Sequence, residues 1–511
     1  MIRNKAAIYG FVLLCVAIAV SAILTASCVK NDGLALSDFD NEEGSALAKS
    51  AGQCNLAVVV TGSTAGEFEP CGCGGVYEGG LSRRAAMFES LRKMHRNVLT
   101  VDTGDLTCGG EEIQFEFLAQ AYHMLGYNAI ALGEGDLRVD WADLNKYAAK
   151  YKLPIVASNL KFKTPTVFRE VIPIEVAGIR MAVISVVSER WLGIVPERNR
   201  QLLSYELPEK ALGRLVPQLK KKYDAVVLLS HLGAAEREKL GSHLSGVDLW
   251  IDSGSHQRIG RQNAQQASTS EPEFYVAGHN PPLLISWSND RKIGVAGLRW
   301  NGGKFSVPAA ELIPVSKEIK GDPKYLEIYD AYKYVSRQNS INQIMNPRLR
   351  TSTRPVKVFP YESSSTCASC HQEIYDFWKT TKHGVAYATI QKDNRDADTN
   401  CLTCHTTGYR DPGGFENLTT TPGLKDVGCQ MCHRIDLKNH HTSSDPELAR
   451  FEKIRAKANN TTDSWQCQRC HVPHRSPKYN YISYLKKIKC SQALTNVPQQ
   501  AAQTTTQPLA Q

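Results

Sequence analysis

The sequence predicts two unlike domains in tandem: a layered α/β domain, then a mostly helical domain with little side-chain core of its own. Three observations carry that expectation. From about residue 54 to 315, short apolar runs alternate with helical patterns. After about residue 363 the apolar periodicity fades. In that same stretch Cys-x-x-Cys-His occurs four times, at Cys367–His371, Cys401–His405, Cys429–His433 and Cys467–His471.

The amino-terminal end comes first. Arg3 and Lys5 precede an uncharged run from Ala6 to Ser27, which closes Leu24-Thr25-Ala26-Ser27-Cys28. This reads as an export signal over residues 1–28 with lipidation at Cys28. Thr25 stands where an aliphatic residue is usual. Ordinary cleavage and an uncleaved anchor are the alternatives, because the run approaches membrane-spanning length. Residues 29–53 are polar and form an expected tether. The expected location is periplasmic, or the outer membrane of a bacterium.

A chain of 511 residues accommodates two or three domains. The net charge of +9 is modest for that length. No Arg/Lys cluster interleaves with aromatic residues, so nucleic acid is not indicated. Weak attraction to an acidic redox partner or an anionic surface fits the charge. Of the fifteen cysteines, eight lie in the repeated motifs and Cys15 and Cys28 in the signal region, which leaves Cys54, Cys71, Cys73, Cys108 and Cys490.

In the α/β domain, residues 54–315, strands are expected at Leu56–Thr61, Asn97–Asp102, Asn128–Leu132, Arg180–Val187 and Asp224–Ser230. Helices are expected at Leu81–His95 and Pro208–Lys222. Later runs, Glu273–Ala277, Leu283–Trp287 and Ile293–Trp300, have no helix between them and read as a β-rich finish. Ligands are expected at the carboxyl ends of the strands.

The motif order here resembles the metallophosphoesterase domain of the 5′-nucleotidase family. The matching stretches are Gly79-Gly80-Leu81-Ser82-Arg83-Arg84, Val101-Asp102-Thr103-Gly104-Asp105, Leu125-Gly126-Tyr127-Asn128-Ala129, Leu229-Ser230-His231-Leu232-Gly233 and Val247-Asp248-Leu249. Such enzymes hold two metal ions that make bound water a nucleophile at neutral pH. The family's Asp-x-His-Gly reads Ser63-Thr64-Ala65-Gly66 here, so both ligands are replaced. Gly-Asn-His-Glu reads Gly133-Glu134-Gly135-Asp136, with Glu134 for the Asn ligand and Gly135 for the catalytic His. The final Gly-His-x-His keeps one His, His256. The resemblance therefore implies a retained fold with at most one divalent metal, on Asp105, Glu134, His231 and His256. Cys71, Cys73 and Cys108 lie near the replaced ligands. They form either a thiolate site for a soft metal or a redox disulfide, or else a structural disulfide such as Cys73–Cys108.

Residues 316–362 read as a linker with one amphipathic helix at Asp322–Met345. The domain from 363 to 490 contains the four motifs. Each is the attachment site of one c-type haem: two thiols add across the vinyl groups and the following His ligates the iron. Zinc ribbons also use paired cysteines, but they leave the recurrent His unexplained. The expected cofactor is four covalently attached haem c, in a haem-packed multihaem cytochrome c domain whose macrocycles supply much of the core. The tail, 491–511, lacks any core-forming pattern.

This region resembles the cytochrome c-554 tetrahaem family. The resemblance rests on Cys367-Ala368-Ser369-Cys370-His371, Trp378-Lys379-Thr380-Thr381-Lys382-His383, Cys401-Leu402-Thr403-Cys404-His405-Thr406-Thr407-Gly408-Tyr409 and Val427-Gly428-Cys429-Gln430-Met431-Cys432-His433. It implies that His383 is a distal iron ligand. Arg434 and Cys490 depart from the family pattern. The remaining distal candidates are His440, His441 and His474, each alternatively a surface residue or propionate partner. His383 lies about 18 Å along a helix from His371, so it is expected to serve another motif's haem. His440 and His441 adjoin and rarely serve two irons well. One haem is then left five-coordinate, or bound by Cys490 or a His of the other domain.

The expected function is electron transfer in the cell envelope, with envelope redox proteins or quinol-linked complexes as partners and the membrane reached through a lipid anchor or uncleaved signal. The α/β domain would serve as a docking, ligand-binding, thiol or metal site. The alternatives are a bifunctional phosphohydrolase-cytochrome and a haem-based oxidoreductase acting on a small nitrogen or sulfur compound.

Overall fold

The computed structural model describes residues 53–70, 72, 77–107, 112–189, 195–254, 274–286, 291–345, 361–409, 411, 413–433, 467, 470, 471, 476 and 478–489. They fall into two compact units, the first up to Pro70 and from Tyr77 to Asp330, the second comprising Gly72 and the residues from Ala331 onward. Cys28, Cys71, Cys73, Cys108, His256, His440, His441, His474 and Cys490 lie outside the described residues.

Among the described residues the first unit contains fourteen strands. They are β1 (Leu56–Thr61), β2 (Val98–Asp102), β3 (Ala129–Ala131), β4 (Ile155–Val156), β5 (Leu160–Phe162), β6 (Ile172–Val176), β7 (Ile179–Val187), β8 (Leu203–Tyr205), β9 (Ala225–His231), β10 (Leu249–Asp252), β11 (Tyr275–Val276), β12 (Leu283–Ile285), β13 (Lys292–Trp300) and β14 (Phe305–Pro314). Two six-stranded sheets form, ordered β14-β13-β1-β2-β3-β4 and β11-β12-β10-β9-β7-β6, while β5 and β8 pair alone. Strands β1 to β4 are mutually parallel, as are β7, β9, β10 and β12.

Parallel neighbours need crossovers, and helices supply them. Helices α1 (Leu81–Met94), α2 (Glu112–Leu125) and α3 (Trp141–Lys150) join the first four strands. Helix α4 (Pro208–Leu219) precedes β9 and α5 (Ala234–Gly241) follows it.

Alternation along each strand splits the core in two, because successive side chains point to opposite faces. Val58 and Val60 of β1, Val183 of β7 and Val227 and Leu229 of β9 share one cluster, packed between the sheets. Val226 and Leu228 join Leu212, Leu215 and Leu240 of α4 and α5 in another, on the outer face of the second sheet. The apolar runs in the sequence are the strands buried on both faces.

The expected strands and helices appear within a few residues of their predicted limits. Six strands, β4, β5, β6, β8, β10 and β14, escaped the sequence pattern, and β4, β5 and β8 have only two or three residues each. Strand β10 has only four residues, and β6 alternates buried and exposed positions at a sheet edge. Strand β14 contains Pro308 and Pro314, which an edge position tolerates.

The second unit contains the carboxyl-terminal half of α6 (Pro323–Met345), then α7 (Ser364–Thr380), α8 (Ala386–Lys392), α9 (Thr399–His405) and α10 (Tyr481–Ile488). Its hydrophobic cluster is small: Tyr387, Ile390, Cys401, Leu402, Phe415 and Leu424. Tyr332 of α6 is fully buried, and its hydroxyl meets Thr399 Oγ1 at 3.2 Å.

Leu229 is 0 % exposed at the centre of the inter-sheet core. Leu229→Ala is expected to lower the first unit's stability by about 2–5 kcal/mol in chemical denaturation, leaving the haem-region transition in place.

Candidate functional site

In the first unit, Asp105 follows β2, Glu134 follows β3 and His231 closes β9. All three therefore stand at carboxyl ends of parallel strands, two from one sheet and one from the other. His231 Nε2 lies 2.9 Å from Glu134 Oε2 and 3.3 Å from Asp105 Oδ2. One ligand atom from each residue falls within 4.8 Å of the others.

The orientation of His231 is fixed. Its Nδ1 is 2.9 Å from the Thr103 carbonyl, which can only accept, so Nδ1 carries the proton and Nε2 turns to the carboxylates. Burial lowers the affinity of this imidazole for a second proton, but the charges of Asp105 and Glu134 outweigh it and hold the pKa well above the ordinary value. Two carboxylates and an imidazole nitrogen suit a divalent cation.

Asp136 holds the surrounding loops. This buried carboxylate accepts backbone amides from Asp105 (2.9 Å), Gly133 (3.0 Å) and Thr107 (3.1 Å). Burial raises its pKa well above the ordinary range, and the charge of Asp105 adds to the rise. Asp105 Oδ1 in turn accepts the Gly135 amide at 2.8 Å. The sequence motif contains Asp136, but only the fold shows what its carboxylate does.

The replaced first motif sits directly beside this arrangement. The amides of Ser63, Ala65 and Gly66 donate to the carbonyls of Gly104, Asp105 and Leu106. Ser63, Ala65 and Asp105 all have left-handed backbones, with φ of 53°, 52° and 58°. Such positions are strained for residues with a Cβ and concentrate at functional sites. Ser63 Oγ is buried and makes no hydrogen bond among the described residues.

Beneath the loops lies a buried polar network. Thr61 Oγ1 donates to Asp102 Oδ2 at 2.6 Å, and the Gly104 amide donates to Asp102 Oδ1 at 2.9 Å. Arg84, 1 % exposed, donates to Thr64 Oγ1 at 2.9 Å and to the Tyr127 hydroxyl at 3.3 Å. Burial raises the Asp102 pKa, against the hydrogen bond from Thr61 and the charge of Arg84. Arg84 and Asp102, both in the resembling motifs, thus support the loops from below.

In the second unit, α9 ends on the motif Cys401–His405, with Asp398 capping it by accepting the Asn400 amide. Helix α7 contains Cys367–His371 and departs from helical geometry at His371 (φ −131°, ψ 49°). In the third and fourth motifs the His amide donates to the first Cys carbonyl, at 2.9 Å for His433 and 2.8 Å for His471. Each is one helical turn, which gathers two thiols and an imidazole.

Two of the imidazoles are oriented for iron. His405 Nδ1 lies 2.7 Å from the Ala386 carbonyl and must donate to it, which leaves Nε2 available. His471 Nδ1 is 3.0 Å from Ser476 Oγ. His405 and His471 would hold haem iron through Nε2, with Nδ1 directed to protein oxygens, so the residues fit haem c. Haem c would supply one-electron redox chemistry at iron.

The motifs fall into neighbouring pairs. Cys367 and Cys429, of the first and third, hydrogen-bond through their side chains, which draws the Cys429 thiol down to about 6 and pushes Cys367 up. Cys470 Sγ of the fourth lies 4.0 Å from the Thr403 carbonyl of the second. His383 stands by this second pair, its ring centre 6.1 Å from that of His471. Burial, then the charges of His471 and His405, draws its pKa down to about 4. Helix α7 stops at Thr380, so a straight helical run from His371 does not place His383. The Val427 amide donates to the His383 carbonyl, and Trp378 Nε1 donates to the Val427 carbonyl at 3.0 Å; these bonds tie the segment to the third motif.

The fold and these sites define a c-type cytochrome region joined to a phosphoesterase-like α/β region. Residues 366–434 match the family described as cytochrome c554 and c-prime. Cytochrome c-554 of Nitrosomonas europaea is 24% identical over 157 residues, covering 25% of this chain and 67% of that protein. The snake venom 5′-nucleotidase of Naja atra is 26% identical over 233 residues, covering 42% of this chain and 41% of that protein. The chain thus spans less than half the length of that nucleotidase. Among solved structures, a 5′-nucleotidase precursor of Thermus thermophilus is 23% identical with a TM-score of 0.45, covering 55% of this chain and 59% of that one. The sulfate thiohydrolase of Thermus thermophilus is 14% identical with a TM-score of 0.47, covering 56% and 61%. The chain is a fusion of a 5′-nucleotidase-like part and a cytochrome c554-like part.

Gly135 has an ordinary helical backbone, yet a Cβ there would lie 2.1 Å from the Thr107 carbonyl oxygen. A side chain fits only if the loop moves. Gly135→Ala is expected to destabilise by about 1–3 kcal/mol in thermal denaturation, as overpacking does. Gly135→His, which restores the family residue, is expected to gain no phosphatase activity with added manganese.

Proposed function

We propose that this protein is an exported, lipid-anchored tetrahaem c-type cytochrome that carries electrons in the cell envelope. The carrying observation is the pairing of motifs in the second unit, first with third and second with fourth. Haems held at such pairs would lie close enough for electrons to pass between them. Redox proteins of the envelope or quinol-linked complexes would be the donor and acceptor. Lipidation of Cys28 would provide the membrane anchor, in the periplasm or at the outer membrane.

His383 is the proposed distal ligand of the haem held by His471. Two imidazoles binding one metal from opposite sides, at about 2 Å each, keep their ring centres about 6 Å apart. The observed 6.1 Å supports that assignment. Bis-His iron has no open position and suits electron transfer over substrate chemistry.

A second reading concerns the first unit, and the triad of Asp105, Glu134 and His231 favours it. This site would bind one divalent metal. Its hydrolytic power would be slight, because the space of the missing catalytic His is closed at Gly135.

Intact-mass measurement of the mature protein is expected to show the polypeptide plus four haems, and Cys467→Ser with Cys470→Ser to show three. His383→Ala is expected to convert one haem of the ferric protein from low-spin to high-spin in electron paramagnetic resonance; an unchanged spectrum would remove His383 from the ligand set. Metal analysis after manganese or zinc loading is expected to find one ion per chain beyond iron. Asp105→Ala with His231→Ala is expected to abolish it, with the haem spectrum unaltered.

A further inference from the structure

The charge of this chain is unevenly placed. From Ser464 to Gln511 there is no Asp or Glu, while Arg469, Arg475, Lys478, Lys486, Lys487 and Lys489 are present. These six cations stand against a whole-chain net charge of +9. Helix α10 lies within this stretch, contains Lys486 and Lys487, and buries none of its residues. Lys478, Lys487 and Lys489 are exposed, and so is Ile482 at 64%.

The same helix reaches the fourth motif. Tyr484 packs edge-on against the His471 ring at 5.3 Å, and Tyr479 stacks on that ring at 5.1 Å. Lys487 Nζ lies over the Tyr484 ring at 5.5 Å. One aromatic layer therefore separates an exposed lysine surface from an axial histidine.

We infer that the lysine face of α10, with Lys478 and Lys489, is a docking surface for an acidic redox protein, which exchanges electrons with the chain at the haem held by His471. This rests on the electron-transfer reading above. Electrostatic complementarity acts chiefly on the rate of encounter and on orientation, and both matter for a transient redox complex. Proximity to His471 favours a protein over an anionic lipid surface, since a lipid headgroup has no electron to exchange. In each productive encounter the donor loses one electron and the ferric iron gains it; no atom is transferred.

The test uses the full holoprotein and two donors in stopped-flow or flash kinetics. Reduced flavodoxin is the acidic protein probe and photoreduced lumiflavin the small uncharged one. The wild-type rate with flavodoxin is expected to fall as ionic strength rises. Combined Lys478→Glu, Lys487→Glu and Lys489→Glu is expected to lower that rate about tenfold or more at low salt. The lumiflavin rate and the haem content should stay unchanged. The corresponding Gln variant should fall between, and reversal of Lys152, Lys221 and Lys222 in the first unit should have little effect. Equal loss with both donors, an unchanged flavodoxin rate, or an equal effect of the first-unit reversal would overturn the docking surface. So would intact flavodoxin kinetics with lost sedimentation on phosphatidylglycerol vesicles, which would assign the patch to lipid. Wild-type protein that accepts electrons from neither donor would overturn the electron-transfer reading itself.

Discussion

The candidate site of the first unit depends on one buried carboxylate. Asp136 gathers three backbone amides from two loops, and so sets the distance between the ends of β2 and β3. Three hydrogen bonds to a buried acceptor specify geometry more strictly than apolar packing, because each donor left unpaired costs about 1–3 kcal/mol. Everything at the site follows from that spacing. Asp105 is held where it meets Gly135 and His231, and Glu134 arrives from the neighbouring loop. The same tight spacing leaves no room for a side chain at residue 135.

The second unit obeys a different constraint. Among the described residues its hydrophobic cluster is small, and α10 buries nothing. What local order it has comes from caps and short bonds, such as Asp398 on α9, Ser363 on α7 and Thr407 Oγ1 receiving the Gly428 amide at 2.8 Å. Gly408 is required in this scheme: its φ is 68°, and a Cβ would lie 2.5 Å from the Tyr361 ring. Covalent macrocycles would supply the apolar volume that side chains do not, which joins cofactor attachment to folding.

Much of this was legible in the sequence, for reasons that differ by element. Strands β1, β7 and β9 are apolar at most positions because nearly all of their side chains are buried on one face or the other, and such runs stand out from their surroundings. The motif cysteines were legible because covalent chemistry fixes their spacing. The triad at Asp105, Glu134 and His231 was reached through motif order, and the fold brings these three together. The sequence did not reveal Asp136 as an organiser, because its role is made of backbone amides from residues 105, 107 and 133, which no side-chain pattern encodes. The pairing of motifs was equally hidden. It depends on loop paths between them, where Thr407 takes part through its hydroxyl and Asp426 and Val427 through their backbone carbonyls.

The electrostatics of the first site differ from those the family resemblance implies, because the residues at its ligand positions differ. The resemblance places a carboxylate at residue 63 and a neutral amide at residue 134; this chain has Ser63 and Glu134 instead. One negative charge has left and another has arrived, so the carboxylate count at these positions is unchanged while the number of ligands falls. Two carboxylates this close disfavour each other's ionised form unless a cation or a proton lies between them. A divalent metal on Nε2 of His231 and the two carboxylates would meet that need. Otherwise a second proton on His231 does so, as the rise of its pKa indicates. Either way the requirement for positive charge is built into the loops that the Asp136 hydrogen bonds position.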